Sequence, residues 1–87
     1  MVELKDTVAL MTSADYKERF QAEYYQTETR YLKLKAMCEK WDKGTLDFKP
    51  TCPRSIYDRQ LKAMEDYLDC LTERANIEGV DITMNFE

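Results

Sequence analysis

An 87-residue chain of 10.4 kDa, 44% hydrophobic and 34% charged, lies near the smallest size at which one core suffices without disulfides, metal or a partner, so a single domain over residues 1–87 is expected. A net charge of −4 excludes a general attraction for DNA, RNA or anionic membranes and argues against nucleic acid as the main partner. Histidine is absent and Cys38, Cys52 and Cys70 form no CxxC pair, so a zinc site with its usual four Cys/His ligands is not expected.

The chain opens with MVELKDTVALM, too short and too charged for a signal or transmembrane segment, which together with the odd cysteine count implies reduced thiols in a cytoplasm. Leu4, Val8 and Met11 share one face of a short helix. Residues 1–12 therefore read as an arm laid on the body of the protein or on a neighbouring subunit.

Thr12, Ser13 and Asp15 can cap the first long helix, with overlapping capping boxes Thr12–Asp15 and Asp15–Glu18. From 13 to 43 no Gly or Pro intervenes until Gly44, giving a helix of about 30 residues and about 45 Å. Phe20, Tyr24, Thr27, Tyr31, Leu34, Cys38 and Trp41 recur at alternating spacings of four and three, the signature of a helix packed along another. Thr27 is the odd member of this seam, and its hydroxyl is expected to bond back to a carbonyl of the preceding turn. Tyr16, Tyr24, Tyr25 and Tyr31 read as core rings with hydroxyls reaching water, in preference to a stacking platform.

Residues 44–52 form the loop. Gly44 suits the left-handed residue that ends a helix. Leu46 and Phe48 alternate with polar neighbours, which predicts an extended run folded down beside Trp41. Pro50 forbids helix at Lys49, Thr51 or Cys52 is placed to cap the second helix, and Pro53 fits its first position. That helix, 53–78, repeats the rhythm with Tyr57, Leu61, Met64, Leu68, Leu71 and Ala75, and stops at Gly79. It carries a second stripe, Ile56, Ala63, Tyr67, Cys70 and Ile77. A broadened apolar face needs a further partner, so either the arm covers it or another subunit does, and a homo-oligomer is expected. In the tail, 79–87, Val80, Ile82, Met84 and Phe86 alternate with polar residues, as in an extended strand that would pair with another chain. The fold class is all-α: an antiparallel two-helix hairpin, coiled-coil-like, with a short helical arm and an extended tail.

No histidine base, Gly-rich phosphate loop, GxSxG or Cys/His pair is present, so neither an enzyme nor a cofactor is expected. The side-chain chemistry gathers at the loop end, where Trp41, Lys43, Phe48, Lys49 and Arg54 combine cations with rings. Such a group can hold a nucleotide, and it can equally just close and solubilise a hairpin end, which is the simpler reading.

The loop Gly44-Thr45-Leu46-Asp47-Phe48-Lys49-Pro50-Thr51-Cys52-Pro53, followed by Tyr67-Leu68, Leu71, Arg74-Ala75 and Ile77-Glu78-Gly79-Val80, and preceded by Tyr16-Lys17-Glu18-Arg19 with Glu23-Tyr24, resembles a family of small phage and prophage proteins of Gram-positive hosts. These are labelled as related to a gene product of a crAss-like phage. The resemblance implies a non-catalytic accessory protein in the host cytoplasm. Its leading expectation is inhibition of a host antiviral defence protein by stoichiometric binding. The alternatives are an oligomeric sponge for a small nucleotide immune signal and a purely structural helical oligomer.

Overall fold

The computed structural model describes residues 2–83. A 3₁₀ turn, Leu4–Thr7, leads into α1 (Val8–Met11), then α2 (Tyr16–Asp42) and α3 (Arg54–Glu78). The start of α2 contacts the end of α3 and the end of α2 contacts the start of α3, so the long helices form an antiparallel hairpin in a body of 43 × 25 × 18 Å.

Of the three residues able to cap α2, Asp15 does so: its carboxylate accepts from the Lys17 backbone N–H at 2.9 Å. Ser13 organises the approach instead, its hydroxyl donating to Glu18 at 2.5 Å and accepting from the Asp15 N–H at 3.0 Å. That bond takes Glu18 away from the second capping box. At the far end Gly44 adopts φ 72°, while the Thr45 N–H reaches the Lys40 carbonyl and the Gly44 N–H that of Trp41. These are the two bonds that satisfy the last carbonyls of a helix ended by a left-handed residue. The start of α3 differs from expectation by one residue: Pro53, with φ −60° and ψ 145°, is the N-cap, and neither Thr51 nor Cys52 caps it. Its fixed φ suits this half-in position, and its carbonyl accepts from the Ile56 N–H at 3.1 Å.

The two seams face each other. Every member of the α2 series from Phe20 to Trp41, and of the α3 series from Tyr57 to Ala75, is buried or half-buried. Thr27 donates to the Glu23 carbonyl at 2.8 Å, the back-bond its core position required. The densest packing lies at the open end, where Phe20, Leu71, Ala75 and Val80 form a buried cluster joined by Tyr24 and Ile82. Burial, then the hydrogen bond to Glu28, pushes the Tyr24 hydroxyl up to about 12, so this ring stays neutral in the core.

Val80 explains the tail. Gly79, at φ 71°, turns the chain back, the Val80 N–H bonds the Ala75 carbonyl at 2.9 Å, and the Val80 side chain enters the cluster beside Ala75. The expected strand is therefore not formed over residues 80–83. A hairpin with an open apolar end offers Val80 and Ile82 a nearer partner than another chain. Met84 and Phe86 lie outside the described residues.

The arm lies on α2 and makes no packing contact with α3. Thr7 is fully buried, donating to the Leu4 carbonyl at 2.7 Å and accepting from Gln26 at 2.9 Å, and Thr29 donates to the Val2 carbonyl at 3.2 Å. Ala22 and Tyr25 are buried on the same helix. The second stripe of α3 is thus left open to solvent. No helix among the described residues is long and apolar enough to cross a membrane.

Burial separates the two stripes of α3. Leu71, at 0% exposure, should cost about 2–5 kcal/mol when cut to alanine, because a cavity would remain at the one interface. Ile77, 84% exposed, should change the unfolding free energy of the monomer by no more than about 0.5 kcal/mol. Urea unfolding of Leu71→Ala and Ile77→Ala at low protein concentration checks both.

Candidate functional site at the loop end

Trp41, on the last turn of α2, meets the ring of Tyr57 edge-on at 6.0 Å and carries the Arg54 guanidinium over its face at 5.3 Å. Arg54 also donates to Asp42 at 2.5 and 3.2 Å and to Asp58 at 2.9 Å. This arginine, one of the cations singled out in the sequence, is therefore engaged in joining the helices. The Asp42 carboxyl is held below its ordinary value by the Arg54 hydrogen bonds, and Arg54 is raised in turn.

With Arg54 and Tyr57 on Trp41, the hairpin end is already closed. Leu46 folds down and is half-buried, but Phe48 stands 54% exposed, contrary to the folded-down run expected of this loop. It lies between two open depressions. One, of about 240 Å³, is lined by Trp41, Gly44, Leu46, Phe48, Lys49 and Pro50. The other, of about 330 Å³, is lined by Lys33, Met37, Lys40, Leu46 and Phe48 among others.

Of the five candidates, the fold thus brings Trp41, Phe48 and Lys49 together, engages Arg54 elsewhere, and leaves Lys43 outside both depressions. Lys33 lies outside the residues the sequence marks at the loop end, whereas Lys40 belongs to the basic cluster that the sequence places there with Lys43, Lys49 and Arg54. The signal for Lys33 was the spacing 33, 37, 40, which marks a face of α2 directly beside the seam. The side-chain ammonium groups of Lys33, Lys40 and Lys49 have no ion pair or hydrogen bond among the described residues. Phosphate groups are held by cations in this state.

The other set, Ile56, Ala63, Tyr67, Cys70 and Ile77, is exposed along one side of α3, with Ile56 at 38% and Tyr67 at 42%. Only Tyr67 reaches α2: its hydroxyl donates to the Glu23 carboxylate, a bond that, ahead of partial burial, raises its pKa. Cys38 is buried, Cys52 half-buried and Cys70 exposed, all as free thiols, and no three metal-ligating side chains gather among the described residues.

These features define a small helical hairpin with cations around an exposed ring at its loop end and an exposed apolar stripe along α3. The chain belongs to the Sequestin family, whose model matches residues 14–77. That name suggests a sequestering, non-catalytic role. Searches of curated proteins and of solved structures returned no match.

Both ends of the hairpin carry a carboxyl shifted downward: Asp42 by Arg54, and Glu78 by the Tyr16 hydroxyl at 2.8 Å and then by Arg74 at 3.2 Å. A depressed carboxyl stabilises the fold above its unfolded-state pKa, and that contribution is lost as the pH falls through its folded value. The melting temperature should therefore fall as the pH drops below 4.5, the ordinary value for Glu78, and then below 3.8, that for Asp42. The double variant Asp42→Asn, Glu78→Gln should lower the plateau at pH 7 and flatten this acid slope, as thermal circular dichroism across pH would read.

Proposed function

We propose that this protein is a phage-encoded accessory protein that sequesters a small nucleotide-type immune signal in the host cytoplasm, holding it stoichiometrically and without turnover. The observation that carries this reading is the exposed Phe48 ring between two depressions bordered by the unpaired Lys33, Lys40 and Lys49. A base stacks on the ring and phosphates meet the lysines, an arrangement supported by the sequestering sense of the family name. Trp41, half-buried and with Arg54 over one face, borders one of the depressions.

Both depressions are open, so a tight complex calls for a second subunit. The α3 stripe supplies a surface for it. An antiparallel pairing of two α3 helices about Asp66 and Tyr67 would set Ile56 against Ile77 and Ala63 against Cys70. The same register sets Arg59 across from Arg74, so this pairing rests on apolar contact and not on charge. Sedimentation equilibrium should find a dimer, with Ala63→Arg dissociating it while leaving the helical circular dichroism unchanged. A monomer at high micromolar concentration would remove this part of the proposal.

The same stripe favours a second reading, the capture of a host defence protein through exposed apolar side chains. Titration calorimetry against cyclic dinucleotides and ADP-ribose derivatives separates the two. Sequestration requires heat with at least one of them, affinity that weakens with salt, and a loss of about 1–3 kcal/mol in Phe48→Ala. No heat and no melting shift at millimolar ligand would instead leave the protein-binding reading in possession.

A further inference from the structure

A third surface lies away from the loop. Where the arm meets the hairpin, a groove of about 350 Å³ is lined by Arg19, Glu23, Gln26 and Arg30 of α2, with Met11 from α1 and Tyr67 from α3. The four α2 residues recur at spacings of four, three and four, so they form one face of the helix. Gln26 is fixed by its bonds to Thr7 at 2.9 Å and to the Met11 sulfur at 3.3 Å. Arg19 uses one guanidinium nitrogen on the Ser13 carbonyl at 2.8 Å. Arg30 has no hydrogen bond or ion pair among the described residues. Glu23 accepts from the Tyr67 hydroxyl through one carboxylate oxygen, and its other oxygen has no partner among them.

Two guanidinium groups flanking a carboxylate specify a mixed ligand. Arginine holds phosphate through paired N–H donors. A carboxylate repels phosphate but accepts hydroxyl donors, as acidic residues do from a ribose. A ligand satisfying both carries phosphate and free hydroxyls side by side. We propose that this groove binds the phosphorylated ribose of a nucleotide ligand, with Arg30 and Arg19 on phosphate and Glu23 on sugar hydroxyls.

The inference rests on the sequestration reading and sharpens it. From Arg30 the same face of α2 continues through Lys33, Met37 and Lys40 into the depression beside Phe48. From Glu23, on the sugar, to Lys40 is seventeen residues, about 25 Å along the axis, a gap that the inward reach of the long side chains shortens. A ligand with its ribose phosphate under the arm and its base at Phe48 has the length of two linked nucleosides or of a nucleoside diphosphate sugar. A mononucleotide reaches only one of the two depressions.

Titration calorimetry on the full chain tests this, with ADP-ribose as the extended probe, AMP as the short one and inorganic pyrophosphate as phosphate without hydroxyls. ADP-ribose should bind the wild type at least about tenfold more tightly than AMP, and Arg30→Ala should remove roughly tenfold of that affinity, as expected for loss of a charge-assisted contact. Glu23→Gln should weaken ADP-ribose severalfold yet leave pyrophosphate equal or stronger, a split that mere loss of structure would not produce. Unchanged melting temperatures establish that the variants are folded. Should Phe48→Ala weaken ADP-ribose while Arg30→Ala and Glu23→Gln leave it untouched, the groove is not the site and sequestration at the loop end stands. Should the wild type bind neither ADP-ribose nor any cyclic dinucleotide, both readings fall.

Discussion

A two-helix hairpin has one interface, and everything else in this protein depends on how that interface is held at its ends. Both ends use the same device. An arginine on α3 lies over an aromatic ring on α2 and bonds a carboxylate at the same time: Arg54 over Trp41 with Asp42 and Asp58, and Arg74 over Phe20 at 4.9 Å with Glu78. Tyr16 closes the second arrangement, donating to Glu78 and accepting from Arg74 at 2.9 Å. Exposed ion pairs alone contribute little. Here the guanidinium also shields an aromatic face that a third layer would cover in a larger protein, so its value lies in packing as much as in charge.

The lack of a third layer also determines where the core concentrates. Along most of the seam the side chains are only half-buried, and apart from Cys38 full burial is reached at the open end and under the arm. At the open end the covering chain is Val80 and Ile82; under the arm it is the segment around Thr7, above Ala22, Tyr25 and Thr29. Without the arm, the buried Thr29 hydroxyl would lose its acceptor, the Val2 carbonyl. The arm and the start of the tail thus complete the hairpin, and residue periodicity within the helices could not reveal it.

The helices themselves were legible because their signals are local. Spacing of apolar residues gave both seams, and Gly44 and Gly79 marked the ends through the left-handed conformation that suits glycine. The tail was read as a strand because Val80 and Ile82 do alternate with polar residues. Alternation records which residues are apolar, though, and Gly79 had already turned Val80 onto Ala75. The loop failed in the opposite sense. Leu46 and Phe48 look equivalent in sequence, yet one is half-buried and the other exposed, a difference that depends on tertiary packing around Trp41 and not on local pattern.

The binding surfaces follow the same logic. Lysines and arginines at 19, 30, 33 and 40 of α2 read as a solvated flank when the helix is taken alone, since nothing in their spacing distinguishes a flank from a groove wall. They become walls because the arm rises on one stretch of that flank and the loop on another, converting a convex helix surface into two concavities. A hairpin this thin has no interior in which to hide a ligand. Concavity must come from its appendages, and any full enclosure must come from a second copy. The exposed stripe on α3 follows from the same thinness: residues that a third layer would cover in a larger protein stay at the surface here.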